Sequence, residues 1–221
     1  MIRRVQVGDI TFGEFLETIR EDQKADLIDG VIHMTSPENT GHNDLVSWFD
    51  RLLGGFVEEL DLGKVTVNRV AYRLGERQGP EPDIAFVRAD RLKIVKYGFI
   101  AGPPDLAIEI VSPESVIRDY EMKRRQYEEG GVQEYLIFDP IEEASLFLCR
   151  IGDRFVEAKP KDHVFRSSVV PGFYVDPRWL WRRPLPRTRP ILDAMLESAR
   201  RTDTPRTRGR NGRSRPPRRP G

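Results

Sequence analysis

Two acidic residues stand in segments that otherwise have the composition of buried strands. In PPDLAIEIVSP (103–113), strict alternation puts Glu109 in the middle of an apolar strand. An ionised carboxylate is unfavourable there unless a metal ion or another cation meets it. Asp83 opens a second β-branched and aromatic run directly after Pro82, at the mouth of a strand. Carboxylates at neighbouring strand ends are the ligands that Mg²⁺ requires, so the pattern predicts metal-dependent phosphodiester chemistry.

Length and composition limit the class of protein. A chain of 221 residues can bury one sizeable core. No stretch approaches the roughly 18 apolar residues of a membrane span, and the first residues lack the apolar segment of a signal peptide. The single cysteine, Cys149, excludes an internal disulfide and a multi-cysteine zinc site, and is most simply a small core residue. We therefore expect a cytoplasmic protein without a membrane partner.

The formal net charge of +1 hides a strong asymmetry along the chain. Residues 200–221 contain nine arginines and one aspartate, about +8, whereas residues 1–199 contain 27 basic and 34 acidic residues, about −7. The segment 200–221 is rich in Arg, Pro and Gly with few apolar residues, so it cannot offset its ordering entropy and is predicted to be disordered. It is either a passive extension or an arm that binds nucleic-acid phosphates without sequence preference.

The elements that must position the acidic residues follow from periodicity and caps. Thr11 and Glu14 fit a capping box that opens a helix to about residue 20. The segments that precede the acidic strands are a hairpin at 25–36, a long amphipathic helix at 38–60 and an alternating strand at 64–74. The remaining predicted elements are the acidic strands at 83–88 and 105–111, a helix at 115–129 stopped by Gly130, a strand in QEYLIFDP, a hairpin turning at Gly152 and Asp153, and a helix at about 188–200.

This outline of strand, strand, helix and strand around a sheet with acidic strand ends resembles the core of the PD-(D/E)XK nucleases. It resembles more closely the Uma-type family of putative restriction endonucleases, over roughly residues 10–180. The parts of the sequence that carry the resemblance are Asp26 in ADLIDG, His42, the Pro82-Asp83 pair, PDLAIEIVSP and the segment RDYEMKRRQYEEGGVQEYLIFDP.

The resemblance implies an α/β (α+β) fold of the restriction-endonuclease type, with a mixed central sheet flanked by helices. A nuclease domain would occupy residues 1–185, followed by a C-terminal helix at 186–199 and the basic tail at 200–221. The implied activity is metal-dependent endonucleolytic hydrolysis of DNA. By the residues alone, DNA and RNA are equal candidates, and DNA comes from the resemblance.

The same resemblance implies a site in which Asp83, Glu109 and the carbonyl of Ile110 hold one Mg²⁺ or Mn²⁺. In the general superfamily pattern a lysine lies two residues after the glutamate, where this chain has Val111. The Uma-type pattern instead has a lysine on the following helix, and Lys123 matches it.

Helical spacing supports a role for that helix, in which Asp119 and Tyr127 would support a metal ligand or bind phosphate. Asp119, Lys123 and Tyr127 lie at i, i+4 and i+8, on one stripe that can face the sheet. Taken alone, Lys123 would be read as part of a solvated helix face, and Asp119 as no more than its ion-pair partner.

The resemblance also implies Asp26 as a catalytic residue that helps to hold the metal ion, and His42 as a second position to weigh near the N-terminus. Asp26 stands where the family has a glutamate, and the shorter side chain withdraws its carboxylate by about 1.5 Å. A displacement near 1 Å can lower a rate roughly a hundredfold, so this change puts full activity in doubt. His42 is either an exposed residue on the first turn of the long helix or a residue that supports a metal ligand or binds phosphate.

A non-catalytic role on the same scaffold is the alternative function. The acidic body and the change at Asp26 favour a weak or inactive nuclease-fold protein that binds nucleic acid or a protein partner. A nuclease-like subunit that is active only with a partner is a third interpretation. Trp179 and Trp181 either cover the core or lie at a homodimer surface.

Deleting residues 200–221 tests the tail. If about half of its arginines meet phosphates, the plot of log K against log salt should have a slope of about −4, and truncation should remove most of it. Thermal unfolding should barely change, because a disordered segment buries no surface. Affinity for nucleic acid at several salt concentrations compares the two proteins, and equal slopes would identify the tail as a passive extension.

Overall fold

A computed structural model describes residues 9–20, 22–36 and 39–203 of the chain, and every structural statement below concerns these ranges. The strands are β1 (Ala25–Ile28), β2 (Val31–Met34), β3 (Gly63–Val67), β4 (Ala71–Tyr72), β5 (Ile84–Arg88), β6 (Phe99–Ile100), β7 (Leu106–Ile110), β8 (Glu134–Asp139), β9 (Ala144–Ile151), β10 (Arg154–Glu157), β11 (Phe165–Arg166) and β12 (Tyr174–Val175). The α-helices are α1 (Phe12–Thr18), α2 (Thr40–Phe49), α3 (Gly55–Glu59), α4 (Arg124–Gly130) and α5 (Thr188–Asp203).

A mixed six-stranded sheet in the order β10-β9-β8-β7-β5-β3 forms the centre of the molecule. Strands β7 and β8 are parallel, and the other neighbours in this sheet are antiparallel. A parallel pair needs a crossover connection, and the segment that contains α4 supplies it. This mixed sheet with flanking helices confirms the predicted fold class.

The two faces of β7 pack into different apolar clusters, as the alternation predicts. Leu106, Ile108 and Ile110 join the main core with α2, α3 and α5. Ala107 and Val111 face the other way, into a cluster with aromatic side chains of α4 and β8. Glu109 shares this second face, so its carboxylate lies beneath the crossover helix.

The predicted long helix is continuous, but it changes from α-helical to π-helical hydrogen bonding in its middle. Between α2 and α3 the residues Asp50–Gly54 form a π-helical turn, and a second π-helical segment, Arg118–Lys123, precedes α4. Helix α4 includes Gly130, and the left-handed Gly131, with a φ of 88°, caps it, so the predicted stop at Gly130 is one residue early. Short 3₁₀ turns occupy Ala89–Ile94 and Pro177–Trp179.

The strand predicted at 64–74 is interrupted. Asn68 and Arg69 have φ angles of 43° and 47°, outside the extended region, and they separate β3 from β4. β4 leaves the central sheet and pairs with β6. Alternation over 64–74 could not show this break, because it comes from two backbone conformations and not from side-chain polarity.

Both ends of the described chain bear on the sequence predictions. Thr11 and Glu14 form the predicted capping box at α1. Helix α5 extends to Asp203, beyond the predicted boundary at 200, and the rest of the basic tail lies outside the described residues.

Trp179 and Trp181 pack against the main core as partly buried residues. No helix within the described ranges has the length and apolar character needed to cross a membrane.

Gly63 is the residue whose replacement should most damage the edge of the sheet. Its φ is +150°, and an added Cβ would lie 2.1 Å from the carbonyl oxygen of Val87. We expect Gly63→Ala to lower the free energy of unfolding by about 2–4 kcal/mol. Gly13→Ala is the control, because Gly13 has open space in a helix and should gain up to about 1 kcal/mol. Urea denaturation measures both, and equal midpoints would contradict the clash.

Candidate active site

Asp83 and Glu109 face each other on neighbouring strands of the central sheet. Ile84 pairs with Ile108 in the antiparallel β5–β7 ladder, so the same register continued by one residue sets Asp83 opposite Glu109. Residues directly opposite in an antiparallel pair have Cβ atoms about 4.5–5.5 Å apart. Both carboxylates are buried, with 3% and 2% of their residue surfaces exposed. The structure thus brings together the two acidic residues that the sequence pattern selected.

The Asp83 carboxylate is surrounded by donors. Lys24 Nζ donates to Oδ1, the Ile110 backbone N–H donates to Oδ2 at 2.7 Å, and His42 Nε2 lies 3.2 Å from Oδ2. Burial works to raise the pKa of Asp83, but Lys24 and His42 outweigh it and hold that pKa well below its ordinary value. Asp83 is therefore an anion under ordinary conditions.

His42 is buried, contrary to the interpretation of an exposed first turn. The Asn39 side chain caps α2 by accepting from the backbone N–H of His42 at 2.9 Å. This cap fixes the first turn, so that the imidazole points at Asp83.

Glu109 has a different environment from Asp83. Lys123 Nζ donates to its Oε1 at 2.9 Å, and the hydroxyl of Tyr127 donates to the same oxygen at 2.8 Å. Burial raises the pKa of Glu109 to about 8, against the attraction of Lys123 and with added repulsion from Asp83 and Asp119. Glu109 therefore binds a proton more readily than an ordinary glutamate, and a bound cation would have to displace that proton.

The Lys123 ammonium is almost completely enclosed and is surrounded by carboxylates. It lies 2.9 Å from Glu109, 3.2 Å from Asp26 and 4.0 Å from Asp119. Burial works to lower the pKa of Lys123, but Asp26, Glu109 and Asp119 together raise it above its ordinary value. Lys123 is therefore protonated. The interpretation of a solvated helix face does not hold, because only 2% of the residue is exposed.

Asp26 lies one layer behind the other acidic residues. Its Oδ1 accepts from the Glu81 backbone N–H at 2.8 Å and lies 3.2 Å from Lys123 Nζ, while Oδ2 lies 3.3 Å from Arg118 Nε. Asp26 is not among the described residues that line the cleft above Asp83 and Glu109. The short side chain therefore positions Lys123 and Arg118. Burial, followed by repulsion from Asp26, raises the pKa of neighbouring Glu81 to about 7.

Asp119 and Tyr127 complete the helical stripe. Ser115 Oγ donates to Asp119 Oδ2 at 2.5 Å, and the Tyr135 hydroxyl donates to the Asp119 carbonyl at 2.8 Å. Burial raises the pKa of Asp119 to about 6, against Lys123 and the Ser115 hydrogen bond. Asp119 lines the cleft, whereas Tyr127 lies beneath Glu109 in the apolar cluster.

A cleft of about 260 Å³ opens above these side chains. Its walls include three residues that sequence analysis did not select, namely Lys24, Ser115 and Arg118. Lys24 contacts Asp83 across 59 positions of sequence, and nothing in the local pattern around it predicts that pairing. Arg118 could have been selected from the sequence, because it is a cation next to Asp119 on the predicted helix.

The donor set fits a divalent metal ion by its chemistry. Asp83 and Glu109 supply hard carboxylate oxygens on one wall of the cleft, and Ile110 lies beside them. No cluster of three or more His, Cys, Asp or Glu side chains suited to a metal occurs in the described ranges. A metal ion here would need a further ligand beside the two carboxylates, and the family resemblance implies the carbonyl of Ile110.

The position of Asp26 leads to a stability prediction. Asp26→Asn keeps the size of the side chain but removes the negative charge beside the buried Lys123 and the partly buried Arg118, so we expect a loss of about 3 kcal/mol in the free energy of unfolding. Asp90→Asn is the matched control, because Asp90 is an exposed residue paired with Arg88. Chemical denaturation should show a large effect for the first variant and little for the second. Similar midpoints would mean that Asp26 does not hold the two cations.

Known proteins share this fold and sequence pattern. The crystal structure of a putative nuclease belonging to DUF820 from Anabaena variabilis ATCC 29413 has a TM-score of 0.65 at 20% identity, over 78% of this chain and 97% of that chain. At that identity the likeness shows the fold alone. Comparison with curated proteins gives no match. A family model named Uma2 and described as putative restriction endonuclease matches residues 12–178, which confirms the resemblance. Because the match covers most of its length, the chain belongs to this family of putative restriction endonucleases.

Proposed function

We propose that this protein is a metal-dependent endonuclease that hydrolyses DNA phosphodiester bonds in the cleft above Asp83 and Glu109. The observation that carries the proposal is that Asp83, Glu109 and Lys123 line one cleft, with the buried Lys123 ammonium 2.9 Å from Glu109. Such a combination of acidic and basic groups at the edge of a cleft suits phosphoryl transfer, which depends on positioning and charge stabilisation.

Asp83, Glu109 and the carbonyl of Ile110 would hold one Mg²⁺ or Mn²⁺. When bound, such an ion supplies Lewis acidity for a phosphoryl oxygen and for the attacking water. Lys24 and His42 now satisfy the Asp83 carboxylate, so Lys24 must release it when a metal binds. Because Lys24 lines the cleft, its charge remains available to an entering phosphate.

Lys123 is held in the charged state, so it acts as a donor and a positive charge rather than as a proton acceptor. It orients the attacking water or stabilises the charge that develops on the phosphate. Asp26 and Asp119 keep its ammonium at the floor of the cleft. Arg118, held by Asp26 and exposed to the cleft, provides a second cation for the phosphate.

Family membership supports DNA as the substrate, whereas the Arg-rich sequence of the tail suits the phosphates of either nucleic acid. The body of about −7 disfavours docking of a polyanion in general, so the cations concentrated at the cleft gain importance.

A second function, nucleic-acid or partner binding without catalysis, is favoured by one observation. Lys24 and Lys123 pair with the two carboxylates that a metal ion would need.

The first experiment measures cleavage of plasmid DNA with Mg²⁺ or Mn²⁺ by Glu109→Gln and Asp83→Asn. If the metal contributes about 4 kcal/mol to catalysis, both should lose roughly a thousandfold in rate. Glu114→Gln is the matched control, since Glu114 lines the same cleft as an exposed residue, and this variant should cleave near the wild-type rate.

The Lys123→Met variant should cleave about 10²–10³ times more slowly than wild type and keep or slightly raise the affinity for the metal.

Calorimetric metal titration and circular dichroism accompany each variant, to separate loss of metal from loss of fold. Cleavage by folded Glu109→Gln at the wild-type rate would contradict the site. A wild-type protein that binds DNA but cleaves none with either metal would establish the non-catalytic alternative.

A further inference from the structure

A second cavity of about 430 Å³ adjoins the cleft. Lys24, Thr35 and Ser36 line both spaces, so the two share a wall formed by residues beside the hairpin β1–β2. Asn43 of α2 and the Asn68–Arg69 turn form other parts of the second cavity. The second cavity, called the groove below, therefore lies next to the cleft.

The Asn68–Arg69 turn connects this groove to the site. The Asn68 backbone N–H donates to the carbonyl of Asp83 at 2.9 Å, and Lys24 Nζ donates to Asn68 Oδ1 at 3.4 Å. Two successive non-glycine residues with φ near +45° are uncommon, and such conformations concentrate at functional sites. This backbone turn places Arg69 on the groove as an exposed residue. No ion pair joins Arg69 to a carboxylate within the described ranges.

The chemistry of the groove suits a sugar–phosphate backbone. Its uncharged polar groups are the amides of Gln23, Asn43 and Asn68 and the hydroxyls of Thr35 and Ser36, and its cations are Arg69 and Lys24, the latter paired with Asp83. Such groups bind phosphate and sugar oxygens. Asp22 also lines the groove, but Arg20 pairs with it at 3.0 Å. None of the described residues that line it is Phe, Tyr or Trp, so it offers no platform for base stacking.

We propose that this groove is the subsite for the nucleic-acid segment next to the scissile phosphate, and that it holds that segment by its backbone. Arg69 contacts the neighbouring phosphate, and the amides and hydroxyls contact sugar and phosphate oxygens. The proposal rests on the proposed function for the identity of the scissile phosphate. It adds a binding residue, Arg69, and a consequence for specificity, because backbone contacts carry no sequence information.

The test compares full-length Arg69→Gln with wild type in binding to labelled DNA duplexes of several unrelated sequences, without divalent metal. Arg154→Gln is the matched control, because Arg154 is exposed on β10, at the opposite edge of the sheet from β3. Arg69→Gln should weaken binding by about tenfold, equally for every sequence, as expected for one lost charged hydrogen bond. It should also reduce the salt slope by about 0.9, the contribution of one phosphate. Arg154→Gln should change neither quantity by a comparable amount.

Equal effects of the two substitutions would contradict the proposal that the groove binds the nucleic-acid backbone. Wild-type affinity of Arg69→Gln for DNA would contradict it as well. A loss that differs strongly between sequences would also overturn it, because the groove would then read bases. Cleavage is assayed separately with Mg²⁺. If wild type does not cleave, the proposed function fails, and the metal-free binding comparison still decides the groove.

Discussion

The enclosed Lys123 ammonium is the interaction on which the rest of the site depends. A charge so deeply buried is tolerated only with compensating partners, and Asp26, Glu109 and Asp119 supply them from β1, from β7 and from the crossover segment itself. One cation therefore ties the hairpin, the sheet and the helix together at the floor of the cleft. The Tyr127 hydroxyl adds a hydrogen bond to Glu109 from below. The geometry of the acidic residues follows from this arrangement.

The charges in this network that suit a cation-binding site also lower the stability of the folded protein. Asp83 is stabilised as an anion by Lys24 and His42, whereas burial and neighbouring negative charge raise the pKa of Glu109. A site with buried carboxylates can exchange an internal ion pair with a lysine for a bound cation. Removing any one charge leaves another uncompensated, so the effects of substitutions in this cluster on the free energy of unfolding should not be additive. Functional sites commonly sacrifice stability in this way.

The sequence predicted those features that local patterns determine. Alternation showed the two faces of β7, the capping box located α1, and helical spacing put Asp119, Lys123 and Tyr127 on one stripe. The pairings Lys24–Asp83 and Asp26–Arg118 were beyond prediction, because they join residues distant in sequence through tertiary packing. The Asn68–Arg69 turn and the π-helical segments were also missed, since backbone dihedral angles leave little trace in polarity. The depth of Asp26, which lies buried behind the residues that line the cleft, was also beyond prediction, because sequence position does not show depth.

Calorimetric titration of Mn²⁺ into wild type and into Asp83→Asn tests the central claim most directly, because it asks whether the paired carboxylates accept a metal at all. We predict that wild type binds one Mn²⁺ per chain and that folded Asp83→Asn binds it far more weakly. Absence of binding to wild type, or equal binding to both proteins, would contradict the account. It would mean that Lys24 and Lys123, and not a metal ion, neutralise Asp83 and Glu109.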